Sequence, residues 1–452
     1  MLGHRAVLQR LRSDSVAAIR LLAAIAAISG DEPAAWPALD AAVHADLEAS
    51  SGVLDAPGSH PPRTAGERWA RALTGLDREQ DCYAWAHRLA DPAESPQVRL
   101  EGIRMAVAAM RKWRAAPGRL TPMLTALLRE QPSRVRSAAL RALAASSTAS
   151  RLAADELAAV LDDPELGAVA ATALGSVGDH RAVPHLVRLM LADSDEPRLA
   201  EAFRAVARAG ADPQAPVAAA RQVLAALPDS CTPGLPMRVL AAFGPAAAAA
   251  VPELIAKLEG AGNDTPDCVI YVLGRIGPAA AAAVPLLRHY PTQGATLALV
   301  KTTSDRAVAE EYLAGRPEEP RRDRIAIALL TWLAEHGGLT VRQHRQLRSL
   351  FRVRGFGQLE SAGALWLHEG PAAADELLEA LPAYLSNDLY GRKALRVLAA
   401  MGSHARPVLD RLDRFAASRH RVGLYIGDDD AEMRADEMLL AAVIAARKQI
   451  AG

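Results

Sequence analysis

Apolar and small residues recur along this chain with a period of about 33 residues. The segments GPAAAAAVPEL at 244–254 and GPAAAAAVPLL at 277–287 agree at ten of eleven positions, at an offset of 33. Within a period, apolar residues are spaced three and four apart, as in Val269, Val272, Leu273 and Ile276. That spacing places them on one face of a helix. The pattern therefore predicts a helical repeat, because a fixed period of 20–50 residues is typical of repeat architectures.

Each repeat also has one apolar position about four residues before its turn, which we predict to be the core anchor. The steps between successive anchors are 33, 31, 32, 34, 33, 26, 34, 33 and 32 residues. Glycines that end the preceding helix follow at many of these turns, where a left-handed backbone is needed. The predicted anchors are Met110, Leu143, Leu174, Val206, Leu240, Leu273, Leu299, Leu333, Trp366 and Leu398.

Each repeat is expected to hold two helices. The first opens near a proline, which a first helical turn tolerates because the missing N–H would be unpaired there. The second ends at the turn glycine. Neither helix can bury its apolar stripe alone, so neighbouring hairpins must stack around a continuous core. The prolines are Pro122, Pro184, Pro216, Pro252, Pro285 and Pro407.

The units resemble HEAT repeats. The resemblance is carried by LGSVGDHRAVP at 174–184 and by the Val-Arg pairs 98–99 and 135–136, and it is strongest for the bacterial phycobilisome-lyase-like subtype. It implies an all-α solenoid, a right-handed superhelix of about twelve hairpins. We predict divergent repeats over 1–94 with an inserted Ser/Gly/Pro-rich loop at 50–66, regular repeats over 95–410, and capping helices over 411–452. The motif specifies a fold, not a function.

Charge and cysteine content narrow the function classes. The 52 basic and 52 acidic residues cancel, so there is no global basic excess for wrapping nucleic acid. Cys82, Cys231 and Cys268 are far apart, which argues against a disulfide framework or a thiolate metal site. We find no run of 18 uninterrupted apolar residues and expect a cytoplasmic protein with no membrane partner.

The repeat register predicts a polar ladder along the second helices. Two residues before the anchors lie Arg141, Thr172, Arg204, Arg238, Tyr271 and Arg396, and two residues after them lie Ser176, Arg208 and Arg275. The HEAT resemblance would place this ladder in a concave groove. Arginine and tyrosine side chains there would suit an acidic peptide or a phosphate backbone. The alternative is an ordinary solvated surface.

Three further features have two interpretations each. A basic run is either an anionic contact patch, for nucleic acid or an acidic protein, or a solvated face; it comprises Arg342, Arg345, Arg348, Arg352 and Arg354, with His344. Asp428–Asp430 either cap the last helix or bind a metal. Trp332 and Trp366 either fill the core or form a stacking platform.

No nucleophile motif, phosphate-binding loop or metal-ligand spacing is apparent, so we predict no catalytic residue, cofactor or metal. The leading hypothesis is a non-catalytic scaffold or adaptor that binds a protein or peptide in the groove. The alternative is a nucleic-acid-binding HEAT-like protein, such as one of the DNA alkylpurine glycosylase type. A prosthetic-group lyase is a third hypothesis, suggested only by the name of the repeat subtype.

Overall fold

The structure is a computed structural model, and it describes residues 2–29, 43–47, 49, 64–129, 133–196, 198–227, 234–261, 267–317, 323–386, 388–423 and 428–452. The chain forms two compact units. The first comprises 1–173 and 418–437, and the second comprises 174–417 and 438–452. This grouping differs from the predicted divisions at 94 and 410, which concern the regularity of the repeats and stay predictions.

The first unit contains helices α1 to α9 and, from the end of the chain, the first part of the last helix. Their bounds are α1 Leu2–Leu11, α2 Ala17–Ser29, α3 Ala65–Gly75, α4 Glu79–Leu89, α5 Pro96–Lys112, α6 Ala116–Leu127, α7 Ser133–Ala145, α8 Ser147–Leu152 and α9 Ala154–Ala159. Helix α10 (Gly167–Ser176) runs from this unit into the second.

The second unit continues with α11 Val183–Leu191, α12 Leu199–Arg208, α13 Gln214–Ala226, α14 Leu235–Phe243, α15 Val251–Gly260, α16 Asp267–Ile276, α17 Val284–His289, α18 Gln293–Thr303, α19 Arg306–Ala314, α20 Arg324–Glu335, α21 Val341–Arg352, α22 Phe356–Glu369, α23 Ala374–Ala380, α24 Asp388–Ala400 and α25 Leu409–Ala417. The last helix is α26, Asp429–Ala451. Short 3₁₀ segments join several hairpins, at His180–Ala182, Gly244–Ala250, Gly277–Ala283, Gly370–Ala373, Leu381–Tyr384 and Gly402–Val408.

Second helices pack on second helices in both units. In the first unit α3 packs on α5 and α5 on α7, while α4 and α6 lie behind them. In the second unit the same relation links α12, α14, α16, α18, α20, α22 and α24 in turn. The predicted all-α fold of stacked, HEAT-like hairpins is therefore confirmed. The part of the chain that the structure describes contains no β-strand, and Trp113 and His420 form an isolated bridge.

The predicted anchors mostly lie in the core. Met110, Leu143, Leu174, Val206, Leu240, Leu273, Leu333 and Leu398 are fully buried. At the other two positions the register shifts by one residue. Val300 and Leu365 are fully buried in place of the half-buried Leu299 and Trp366. The short step of 26 falls at the first of these shifts. The residue that faces the neighbouring helices is the one that is buried. It does not always lie at a fixed spacing from the turn.

Two details of the predicted hairpins are corrected. Pro122 lies inside α6, whose first turn instead contains Pro117. Residues 50–63 of the predicted loop lie outside the described residues, but Thr64 to Gly66 already form the start of α3. The Thr64 hydroxyl accepts from the Glu67 N–H, and the Glu67 carboxylate accepts from the Thr64 N–H. This reciprocal pair fixes the helix start.

Two stretches, Leu235–Gly260 and Asp267–His289, are long and apolar enough by composition to cross a membrane. Each is interrupted by a 3₁₀ segment that begins at a glycine with positive φ, 54° at Gly244 and 74° at Gly277. Neither is therefore one continuous α-helix. Each joins the second helix of one hairpin to the first helix of the next, and its buried residues, such as Leu240 and Leu273, belong to the repeat core.

Gly102 is required where α5 passes the end of α4. A Cβ there would lie 2.7 Å from the backbone nitrogen of Ala90 and 3.0 Å from the carbonyl oxygen of Ala86. We expect Gly102→Ala to lower the free energy of unfolding by about 1–3 kcal/mol through this clash. The clash should outweigh the gain in helix propensity of about 1 kcal/mol.

Gly118 in α6 is the matched control, since a Cβ there meets no heavy atom within 4 Å. Gly118→Ala should stabilise the protein by up to about 1 kcal/mol. Guanidinium unfolding of both variants tests the pair. Equal stabilisation by both substitutions would show that α5 does not pass α4 so closely.

Candidate binding groove

A groove of about 880 Å³ lies along the second helices of the first unit. Residues of one face of each helix line it: Glu67, Arg71 and Thr74 of α3; Ile103, Arg104, Val107, Ala108, Arg111 and Lys112 of α5; and Ala138, Arg141, Ala142 and Ala145 of α7. The spacings of three and four residues explain the shared face. These helices therefore line the groove with apolar side chains and several cations, together with Glu67 and Thr74.

The segment before α26 closes one side of the groove. It pairs with the end of α5 through an antiparallel bridge between Trp113 and His420. The Arg114 N–H donates to the Arg419 carbonyl at 2.9 Å, and the Arg421 N–H donates to the Lys112 carbonyl at 3.1 Å. Residues His420–Gly423, Asp429, Asp430, Glu432 and Met433 thereby join the lining.

A buried ionic cluster holds this segment. Asp436 accepts from the Arg114 guanidinium at 2.6 and 3.0 Å and from Arg421 at 3.2 Å. Glu437 accepts from Arg421 at 2.9 Å and from the Ser146 hydroxyl at 2.6 Å. These four charged side chains are 0–7% exposed. Each carboxylate has charged and hydrogen-bonded partners, as burial of a charge requires.

Besides Arg421, two other groove arginines have acidic partners. Arg111 binds Asp430 at 2.7 Å and Asp429 at 3.0 Å. Arg104 binds Glu101 at 2.6 Å. Glu101 is fully buried and also accepts from the Thr64 hydroxyl and the Gly66 N–H. Burial raises the pKa of Glu101 above its ordinary value, against the hydrogen bond from Thr64 and the charge of Arg104.

Three other cations of the groove have no side-chain partner among the described residues. They are Arg71 in α3, Lys112 in α5 and Arg141 in α7. Arg71 and Arg141 are exposed and Lys112 is half-buried. Cations without an internal partner are available to an anionic ligand. Arg141 belongs to the ladder predicted from the sequence, whereas Arg71 and Lys112 were not predicted.

A second cavity, of about 360 Å³, continues from the groove along α7. It shares Arg104, Ala138 and Arg141 with the groove and adds Leu100, Ser133, Arg134 and Ser137. Arg134 is exposed and has no side-chain partner among the residues that the structure describes. The surface of guanidinium groups and hydroxyls therefore extends beyond the groove.

Apart from Thr172, the rest of the predicted ladder lies in the second unit. Arg204, Arg208, Arg238, Tyr271, Arg275 and Arg396 are exposed there, as a groove-facing ladder would need. Arg204 and Arg208 donate to carbonyls of their own helix, those of Ala200 and Arg204. Arg275 donates to the Ala241 carbonyl at 3.4 Å. Their role in binding stays a prediction.

Two ladder members are not freely exposed. Thr172 is buried, and its hydroxyl donates to the carbonyls of Ala168 and Val169. Ser176 is half-buried and accepts from Arg198 at 2.7 Å. Thr172 is therefore not part of an exposed ladder. Its hydroxyl is satisfied by carbonyls of the preceding turn of its own helix.

Acidic residues of the next hairpin neutralise part of the predicted basic run. Glu369 accepts from Arg348 at 2.8 Å and pairs with His344, and Glu376 also pairs with Arg348. Arg342 donates to the carbonyls of Ala314 and Arg316, both at 3.0 Å. Arg345 is exposed and takes part in a further contact or electrostatic interaction.

The remaining two cations of the run, Arg352 and Arg354, line a cavity of about 520 Å³ together with Glu376, Glu379 and Tyr384. Acids thus surround the run in space although none interrupts it in sequence. Its role as a contact patch stays a prediction.

Trp332 and Trp366 differ in their burial and contacts. Trp332 is buried and stacks on His336 at a centroid distance of 4.3 Å, which confirms core filling. Trp366 is half-buried, and its indole N–H donates to the Ala400 carbonyl at 3.1 Å. It packs beside the core and is not an anchor within it.

Helix capping by Asp428 is confirmed. Its carboxylate accepts from the Asp430 N–H at 2.9 Å. Among the described residues, no group of three or more His, Cys, Asp or Glu side chains is placed to hold a metal ion. Cys231, one of the three cysteines considered in the sequence analysis, lies outside the described residues.

Sequence reasoning missed the docking of residues 418–437 on α5 and α7. No periodic signal marks it, because Arg114 and Arg421 lie more than 300 positions apart along the chain. One indication was present: Arg434, Asp436 and Glu437 interrupt the apolar pattern of α26. All three are buried. Asp436 and Glu437 pair with arginines, and Arg434 donates to the Ala145 carbonyl at 3.3 Å.

HEAT repeats match in sequence over residues 120–207. No curated protein matches the chain in sequence. An importin β structure is 13% identical, with a TM-score of 0.47, and the match covers 92% of this chain and 66% of that one.

A structure concerning a phosphorylation switch in the interaction between cadherin and β-catenin is 12% identical, with a TM-score of 0.39 and 98% of both chains covered. The karyopherin Kap121p bound to Pho4p is 15% identical, with a TM-score of 0.37, and the match covers 92% of this chain and 47% of that one. The chain thus spans about half the length of this karyopherin.

The repeat period, the buried anchors and the stacking of second helices agree with the family match over residues 120–207. In the part that the structure describes, the chain is an array of stacked helical hairpins, and it is similar to HEAT repeats over residues 120–207.

Proposed function

We propose that this protein is a non-catalytic scaffold that binds a protein partner through an extended peptide segment in the groove of its first unit. The observation that carries the proposal is the set of cations Arg71, Lys112 and Arg141. They have no side-chain partner among the described residues, and they line the groove together with apolar side chains. Stacked hairpins present such continuous surfaces because each adds one helix face to the next. A segment with alternating acidic and apolar side chains matches this lining.

The acids in the groove favour a peptide over nucleic acid. Glu67, Asp429, Asp430 and Glu432 all line it. A nucleic acid backbone carries a negative charge at every nucleotide and would meet these carboxylates as well as the cations. A peptide can place acidic residues against the cations and neutral residues against the acids. The zero net charge of the chain points the same way.

The test is a binding measurement with a labelled synthetic peptide in which glutamates alternate with leucines, followed by fluorescence anisotropy. We expect saturable binding that the triple substitution Arg71→Gln, Lys112→Gln, Arg141→Gln weakens by at least about tenfold, or 1.4 kcal/mol. Circular dichroism checks that the variant keeps its helices.

The matched control neutralises three arginines of the second unit, Arg204, Arg208 and Arg238, and should leave binding unchanged. Loss of binding in this control alone would move the site to the predicted ladder of the second unit. Duplex DNA that binds more tightly than the peptide, with affinity falling steeply as salt is added, would favour the nucleic-acid alternative instead.

A further inference from the structure

The charged residues that line the cavity beside the groove are all arginines. Three arginines and two serines surround it, with Leu100 and Ala138 completing the wall, and no carboxylate of the described residues contributes. The groove itself has carboxylates from α3 and from the start of α26. Moving along α5 and α7 into the cavity, the lining therefore changes from mixed charge to cations and hydroxyls alone.

The cations of this cavity differ in how they are held. Arg104 is fixed by its ion pair with the buried Glu101 at 2.6 Å, and Glu67 of α3 lies 4.0 Å from it on the groove side. Arg134 and Arg141 are exposed and have no side-chain partner in the described part of the chain. Ser137 lies between them, three residues after Arg134 and four before Arg141, so the three residues share one face of α7. One guanidinium is thus preorganised and two are free to close on a ligand.

This combination suits an anionic group. Guanidinium groups bind carboxylate and phosphate oxygens through paired hydrogen bonds, and such charge-assisted bonds are about twice as strong as neutral ones. Serine hydroxyls add donors at the same place. Like charges that line one cavity repel each other, and a bound anion removes that repulsion. A neutral or basic side chain would leave it in place.

The opposite part of the groove has the complementary character. There Asp429 and Asp430 form ion pairs with Arg111, and Glu432 also lines the groove. An acidic side chain of a ligand would be repelled at that end and attracted at the end of Arg134. The charges therefore give the groove a direction.

We infer that Arg104, Arg134 and Arg141, with Ser133 and Ser137, form a subsite for one acidic side chain of the bound peptide, a carboxylate or a phosphorylated serine. The inference rests on the proposed function and assigns the chemistry of one end of the ligand. It also fixes the orientation, with the acidic residue at the α7 end.

The experiment uses three peptides that share the alternating sequence described above and differ at one terminal position, which is serine, glutamate or phosphoserine. Their affinities are measured for the intact protein, for Arg134→Gln/Arg141→Gln, and for the control Arg129→Gln/Arg151→Gln. The two control arginines are exposed and lie outside the groove, the cavity and the ladder. We expect phosphoserine to bind about tenfold more tightly than serine, with glutamate between them. The double substitution in α7 should abolish this difference, and the control should preserve it.

The outcomes separate the two proposals. Equal affinities of all three peptides, or a phosphoserine preference that survives in Arg134→Gln/Arg141→Gln, overturns the subsite while the groove remains a peptide site. Failure of all three peptides to bind overturns the proposed function and the subsite with it. Equal preference for glutamate and phosphoserine over serine supports the subsite and shows that a single negative charge is sufficient.

Discussion

Replacing Asp436 with alanine should lower the free energy of unfolding by about 3–5 kcal/mol, because it leaves two buried cations without their common partner. Asp436 is fully buried and accepts from Arg114, from Arg421 and from the Val422 N–H. The loss far exceeds what an exposed ion pair would contribute. Guanidinium unfolding monitored by tryptophan fluorescence provides the measurement, since the fully buried Trp113 adjoins the cluster.

The control for this prediction is Asp429→Ala. Asp429 also pairs with an arginine, but its side chain is 75% exposed. Its removal should change the stability by no more than about 1 kcal/mol. If both substitutions cost the same small amount, the ionic cluster does not hold residues 418–437 in the first unit.

Leu240→Ala should cost about 2–5 kcal/mol, as expected for a large-to-small change at a fully buried site. Leu240 is one of the repeat anchors, and α14 packs with α12 and α16 around it. Removing its side chain opens a cavity between neighbouring second helices. Each hairpin relies on the next to bury its apolar face. The substitution should therefore lower the stability of the second unit as a whole, not only that of one hairpin.

Leu367→Ala is the matched substitution at a surface site. Leu367 lies on α22 with 53% of its surface exposed. We expect a change within about 0.5 kcal/mol. Thermal unfolding by circular dichroism compares the two variants directly. A Leu240→Ala variant as stable as Leu367→Ala would show that the anchor periodicity does not mark the core.

The peptide and subsite variants test function separately from these stability effects. Arg71, Arg134 and Arg141 are exposed and Lys112 is half-buried, and none of the four has an internal side-chain partner among the described residues. Their substitution removes charge without breaking a buried contact, so stability should change by no more than about 0.5 kcal/mol per site. A binding defect in a variant of unchanged stability therefore reports on the surface itself.

The sequence by itself determined the fold class, the repeat length and most of the core. Apolar spacing along a helix is local, and a residue such as Leu240 or Leu273 must be buried wherever the next hairpin lies. The same local logic identified the turn at Gly277 and the exposure of Arg141 and Arg238. The one-residue shifts at Leu299 and Trp366 mark its limit, since the direction of a side chain depends on the helices around it.

Only the tertiary structure decided which charges are free. The run from Arg342 to Arg354 has no acid within it, yet Glu369 and Glu376 of the next hairpin neutralise Arg348. Asp429 and Asp430 likewise engage Arg111 across more than 300 residues, while Arg141 keeps no partner among the described residues. Helical periodicity is set by neighbours three and four positions apart, whereas ion pairing depends on distance in space, which only the folded chain defines.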